Sequence, residues 1–188
     1  MFGKTLPAGT RVRAAGIVDD VTMRGAGPWY SVLHGRNVGA YGKYAPDASS
    51  DEHLADFAVF GETTERVDAD QVNAIGGSLA DSSIDDLWLQ HNKLGVWLDG
   101  PFDRVRISRL RILDQTADGL NLHDGITNSS VTDTYVRSTG DDGMAMWSEP
   151  HPRHRQRLRA QHRQGTRACE QLRHLRRPRH RGARQPRH

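Results

Sequence analysis

The feature that most constrains this chain is a spacing of 24 residues. Gly95, Gly119 and Gly143 lie 24 residues apart, and each opens the same short pattern: Gly95-Val96-Trp97-Leu98, Gly119-Leu120-Asn121-Leu122 and Gly143-Met144-Ala145-Met146. An apolar residue follows each glycine and another sits two places on, the period of a strand with one buried face. Ile107 keeps step with Val131, and Trp88 is read in one column with Ile112 and Val136. A fixed period of this length, built from short alternating segments, predicts a stacked solenoid, and strands of this kind predict a parallel β-helix.

The rest of the chain is read around that repeat. Val12 and Ile17 are inward candidates, Ile17 to Met23 and Trp29 to His34 are short strands, and Leu54 to Phe60 alternates as one half-buried strand. Gly35 to Glu52 reads as a loop, and the polar stretch Gly61 to Val72 as a long excursion from the coil, the kind of insertion that builds a solenoid's binding face. Segments starting at Ser83, Arg106 and Ser130 are corresponding pieces of successive coils. Almost no helix is expected, apart from a short one near the N-terminus.

The composition divides the chain at Pro150. His151 to His188 holds thirteen of the 26 Lys+Arg, six of the ten His and one of the 23 acids (Glu170), a net charge of +12. Met1 to Pro150 keeps the other 13 bases against 22 acids, a net charge of −9. The tail has no apolar alternation and reads as a non-solenoid, disordered segment. Its Arg/His/Gln/Pro bias is that of GC-rich coding DNA read out of frame, with a frameshift expected near Pro152. Cys169 is the one cysteine, so no disulfide within the chain is expected. No apolar run is long enough for a membrane helix, and the N-terminus lacks the apolar region of a signal peptide.

The repeat has a chemical consequence. Asp118 and Asp142 are also 24 residues apart, so they occupy equivalent places on neighbouring coils, with Asp141 beside them. Coils stack at about 4.8 Å. Carboxylates that close are costly unless they share a proton, a water or a substrate. One protonated and one ionised carboxyl is what glycoside hydrolysis needs. The structural alternative is that Asp-Gly pairs close turns, and Asp19-Asp20 and Asp85-Asp86 are read that way, as solvated loop residues. Trp147 either stacks on a sugar ring or packs on the solenoid's outer surface. His123 either hydrogen-bonds sugar hydroxyls or is a satisfied structural histidine. Trp97 lies between inward positions and is expected at the surface, whereas Trp88 is expected in the core. His34, His53, His91 and His123 lack metal-ligand spacing, so no metal and no cofactor are expected.

Several blocks together, VDDVTMRGAGPWYSVLHG, LADFAVFGETTERVDADQVNAIGG, GVWLDGPFDRV and TADGLNLHDGITNSSVTDTYVRSTGDDGMAMWSE, resemble the α-1,3-glucanases (mutanases) of glycoside hydrolase family 87 over about Gly9 to Pro150. The resemblance implies an all-β, right-handed parallel β-helix of the pectin-lyase type, here incomplete. It implies endo-hydrolysis of α-1,3-glucan with inversion, by a usually secreted enzyme; the chain itself is expected to be a monomer. It also implies that the family's aspartates fall on Asp118, Asp141 and Asp142. By analogy with other inverting β-helix hydrolases, Asp141 is the general acid, and Asp118 and Asp142 hold and activate the water. Because coils that follow the motif in the family are absent from this chain, weak or no activity is expected. A carbohydrate-binding solenoid without catalysis is the alternative. A third reading, a basic-tailed binder of nucleic acid or another polyanion, is weakened by the absence of stacking aromatics in the tail.

Overall fold

The computed structural model describes residues 14–147, apart from 45, and residues 158–161. Its chain winds upward coil by coil. The first coil holds β1 (Ala14–Gly16), β2 (Thr22–Arg24) and β3 (Val32–His34). The second holds β4 (Gly39–Tyr41), β5 (Ser49–Ser50), β6 (His53–Ala55) and β7 (Ala58–Phe60). The third holds β8 (Asn73–Gly77), β9 (Leu79–Ala80), β10 (Ser83–Asp85) and β11 (Trp88–Gln90). The fourth holds β12 (Leu94–Asp99), β13 (Phe102–Asp103), β14 (Arg106–Ser108) and β15 (Arg111–Leu113). The fifth holds β16 (Leu120–His123), β17 (Ile126–Thr127), β18 (Ser129–Thr132) and β19 (Tyr135–Arg137), and β20 (Met144–Trp147) and β21 (Leu158–Gln161) lie above them. Among the described residues every pairing is parallel and joins one coil to the next, and the four resulting sheets run β1-β4-β8-β12-β16-β20, β2-β6-β10-β14-β18-β21, β3-β7-β11-β15-β19 and β5-β9-β13-β17. This is the expected parallel β-helix, with no helix among the described residues.

The three glycines stack as their spacing predicts. Val96 faces Leu120 and Leu120 faces Met144, one residue after each glycine. Below them Ile75 and Ala40 continue the column. Ala40, Ile75, Val96 and Leu120 are fully buried. Each larger side chain in such a column contributes roughly 1.5–3 kcal/mol by leaving water. Two further columns, Leu54–Ile84–Ile107–Val131 and Val59–Leu89–Ile112–Val136, close the same core.

Trp88 is a correction. It pairs with Ala58 and Arg111, and its neighbour Leu89 stands in the column with Ile112 and Val136. The coil between β11 and β15 is 23 residues long, one shorter than the next. A one-residue difference moves a side chain to the opposite face of a strand. Trp88 is therefore half-buried on the outside, edge-on to Trp29 at 4.6 Å and to Phe60 at 6.2 Å. Trp97, between buried Val96 and Leu98, points outward as expected and is half-buried.

The segments read as single strands are bent. Leu54 to Phe60 divides at Asp56, whose φ is 62°. Asp86, Arg109 and Asp133 take the same left-handed conformation at the same corner of later coils. Asp and Asn tolerate it better than most residues, which explains why this chain spends so many acids on corners. Asp86 is one of these, so it is a corner residue whose carboxylate also accepts from Arg111 at 3.0 Å. Asp19 and Asp20 also have positive φ. Gly35 to Glu52, read as a loop, contains β4 and β5. The expected N-terminal helix and Val12 lie outside the described residues. Within the segment read as non-solenoid, Leu158–Gln161 runs parallel to β18; the rest of that segment lies outside the described residues.

Buried polar side chains replace missing backbone partners at the corners. Gln115 donates from Nε2 to the carbonyls of Leu89 (3.0 Å) and Leu113 (2.9 Å), and its Oε1 accepts from the Asn92 amide at 3.1 Å. Ser129 does the same elsewhere, accepting from the Val105 amide at 3.0 Å and donating to the Thr127 carbonyl at 2.7 Å.

Candidate active site

The candidate site lies on the first sheet, where β16 and β20 begin. The backbone ladder fixes its register: Gly95 N donates to Asp118 O and Gly119 N donates to Asp142 O. Asp118 and Asp142 therefore sit one above the other, as the spacing predicts. Residues 93, 117 and 141 form the adjacent column, with Ala117 N bonded to Lys93 O at 2.8 Å and Asp141 N to Ala117 O at 3.3 Å.

The three acids have different surroundings. Asp118 is the buried one, 9% exposed. Its Oδ2 accepts from Asn121 Nδ2 at 2.6 Å, and its Oδ1 accepts from the Asp142 amide at 3.1 Å. Burial pushes its carboxyl above the ordinary value; the Asn121 hydrogen bond opposes this, and the nearby charges of Asp141 and Asp142 add to it. Asp142 is half-buried and Asp141 exposed. Asp141 Oδ2 accepts from Arg66 Nη1 at 2.7 Å. Arg66 in turn donates from Nε to Asp68 Oδ1 at 2.6 Å, and the two carboxylates, Asp68 first, hold its proton more firmly than usual.

The outer face of the sheet below the acids carries rings and polar groups. One outward column runs Tyr41, Gly76, Trp97, Asn121, Ala145. At Gly76 a Cβ would stand 2.6 Å from the Tyr44 hydroxyl and 3.0 Å from the Tyr41 ring, so a larger residue there would have to displace those two side chains. A second column runs Asp99, His123, Trp147. His123 Nδ1 lies 2.5 Å from Asp99 Oδ1, and its ring is 6.5 Å from that of Trp97. The structure thus gathers Asp118, Asp141 and Asp142 and sets His123 on the same sheet, with Trp147 next to His123 by register.

Sequence reasoning missed Arg66, Lys93, Asp99 and Asn121. Asn121 and Asp99 could have been found, since outward positions on a strand follow from the inward ones. Arg66 carried no signal beyond its place in a polar excursion. Among the described residues no three or more His, Cys, Asp or Glu come together as a metal site.

Fold and site together define a class: parallel β-helix proteins with a cluster of acids across neighbouring coils of one sheet. A family model described as alpha-1,3-glucanase catalytic domain D2 matches residues 3–151, and the chain belongs to that family. Among solved structures, it is similar to the catalytic unit of a thermostable GH87 alpha-1,3-glucanase from Streptomyces thermodiastaticus strain HF3-3, at 44% identity and a TM-score of 0.69, over 76% of this chain and 26% of that one. The catalytic domain of a GH87 alpha-1,3-glucanase in complex with nigerose matches at 24% identity and a TM-score of 0.57, over 71% of this chain and 26% of that one. A variant of such a domain in complex with tetrasaccharides matches at 23% identity and a TM-score of 0.56, over 68% and 23%. The chain thus spans about a quarter of the length of the solved structures it matches. No curated protein matches.

Proposed function

We propose that this chain carries the acid cluster of an inverting, endo-acting α-1,3-glucan hydrolase. The observation that carries the reading is the hydrogen bond from the Asp142 amide to the Asp118 carboxylate, with Asp141 alongside. Asp141, the exposed acid, donates its proton to the glycosidic oxygen as the bond to the anomeric carbon breaks. Asp118 and Asp142 hold a water between them and take its proton as its oxygen attacks the opposite face. Inversion of this kind needs carboxyls roughly 6.5–9.5 Å apart to admit the water. A carboxyl whose proton affinity is raised by burial, as in Asp118, is a better base near neutral pH than an ordinary aspartate. His123, oriented by Asp99, and Trp147 would contact the sugar.

Two further observations support this reading. Related catalytic domains bind nigerose and tetrasaccharides. Their single aspartate-to-alanine variants fall at three positions separated by 23 residues and then by one, the separations of Asp118, Asp141 and Asp142 here.

Because the chain spans about a quarter of the solved catalytic unit, its rate by itself should fall well short of a complete enzyme's. That same fact favours the second reading, a glucan-binding solenoid without turnover. The purified chain is incubated with α-1,3-glucan, with release of reducing ends and anomeric configuration followed by proton NMR. Slow release of inverted product, lost in Asp141→Asn while nigerose binding persists, is the expected result. Binding without release in either protein selects the second reading. Absence of both overturns the proposal.

A further inference from the structure

The excursion between β7 and β8 leaves the second coil and enters the third, yet its Arg66 reaches an acid 75 residues further along the chain. Lys93 explains how. It is only 6% exposed, and its Nζ donates to the backbone carbonyls of Asp68 (2.8 Å) and Asp70 (2.7 Å), while its own amide donates to Val72 O at 2.9 Å. A buried ammonium with two carbonyl acceptors bolts the end of the excursion to the fourth coil. Lys93 also stands in the column of Ala117 and Asp141, two coils below the latter. The excursion is therefore anchored directly beneath Asp141, and Arg66 spans the remaining rise, steadied by Asp68.

Resting on the reading of Asp141 as the group that protonates the leaving oxygen, we propose that Arg66 is its positioning residue. A carboxyl has two oxygens and rotates freely unless something distinguishes them. Arg66 Nη1 occupies Oδ2, which leaves Oδ1 as the oxygen that hands the proton to the leaving group. The guanidinium decides which oxygen is the donor and which way it faces, and Lys93 acts on the same carboxyl through the excursion without touching it. A charge-assisted contact from a planar fork is directional in a way that a lysine's is not, so Arg66→Lys should restore only part of the effect of losing Arg66.

The test has two arms. In the first, guanidinium NMR on the full chain follows rotation about the Arg66 Nε–Cζ bond. Asp141→Asn and Lys93→Met should each speed this rotation, and equal rates in the parent chain and in Asp141→Asn overturn the proposal. In the second, hydrolysis of α-1,3-glucan is compared for the parent, Arg66→Met and Arg66→Lys. The expected pattern is a kcat about tenfold lower in Arg66→Met, with KM within about twofold, and an intermediate kcat in Arg66→Lys, the size of a charge-assisted hydrogen bond. An unchanged kcat in Arg66→Met also overturns it. If the parent neither hydrolyses glucan nor binds nigerose, the glucanase reading falls, and the grip of Arg66 on Asp141 stands or falls on the rotation rates alone.

Discussion

The amide of Asp142 donates to Oδ1 of Asp118 across 3.1 Å and 24 residues of sequence. One bond thus joins two coils and two acids, and it couples the register of the solenoid to the electrostatics of the site. If the coils slipped by one residue, Asp118 would lose this donor and its place below Asp142.

Replacing Asp118 tests the electrostatic side of that coupling. Its folded carboxyl is raised above the ordinary 3.8, mainly by burial. A carboxyl with a raised folded value contributes its full stability below the unfolded value and loses it as pH rises through the folded one. Asp118→Asn cannot ionise, so it should melt at a higher temperature than the parent at pH 7. The difference should shrink as the pH is lowered toward 3.8. Thermal melts across that range check it, and a variant that melts lower at neutral pH contradicts the account. A gain in stability at a site proposed for catalysis would be the usual trade-off.

Two glycines of the repeat should respond differently to the same change. At Gly119 a Cβ would lie 2.5 Å from both the Gly143 carbonyl oxygen and Val136 Cγ1, whereas at Gly143 its nearest neighbour would be Val136 Cγ1 at 3.8 Å. Gly119→Ala should cost about 1–3 kcal/mol through forced separation of the coils. Gly143→Ala should cost far less. Chemical denaturation of both variants decides, and equal losses would show that the stacking of these coils is looser than described.

The register of the third coil can be checked at two adjacent residues. Leu89 is fully buried in the column with Ile112 and Val136, while Trp88 is half-buried outside it. Leu89→Ala should cost about 2–5 kcal/mol, as large-to-small core changes do. Trp88→Ala should cost less despite deleting the larger side chain. The reverse order of denaturation midpoints would put Trp88 back in the core.

Asp99 sets the orientation of His123 by the contact at Nδ1. If His123 meets the sugar with its other ring nitrogen, Asp99→Ala should weaken nigerose binding by roughly two- to tenfold, the worth of one hydrogen bond. Calorimetry on the parent and the variant measures it. Unchanged affinity would return His123 to a purely structural role.

The solenoid was readable in the sequence because its cause is local and repeated. Alternation places Val96, Leu120 and Met144 inward whatever lies elsewhere in the chain, and equal spacing of 24 residues carries Asp118 beneath Asp142. Trp88 was misread because that inference needs each coil's own length: the coil from Trp88 to Arg111 is one residue short, and a strand with a period of two converts one residue into the opposite face. The breaks at Asp56, Asp86 and Asp133 were also hidden, since a left-handed corner leaves the apolar alternation on either side almost intact.

The sequence by itself determined the winding of the chain and the two acids that its period aligns, Asp118 and Asp142, with Asp141 beside them. Only the tertiary structure decided that Asp118 is the buried one, that Asp99 turns His123, and that Arg66 closes on Asp141 from an excursion bolted down by Lys93. Periodicity specifies contacts between equivalent positions. A contact such as Arg66 to Asp141 joins positions with no common period, and it depends on where a loop is anchored in space and how far its side chain can reach.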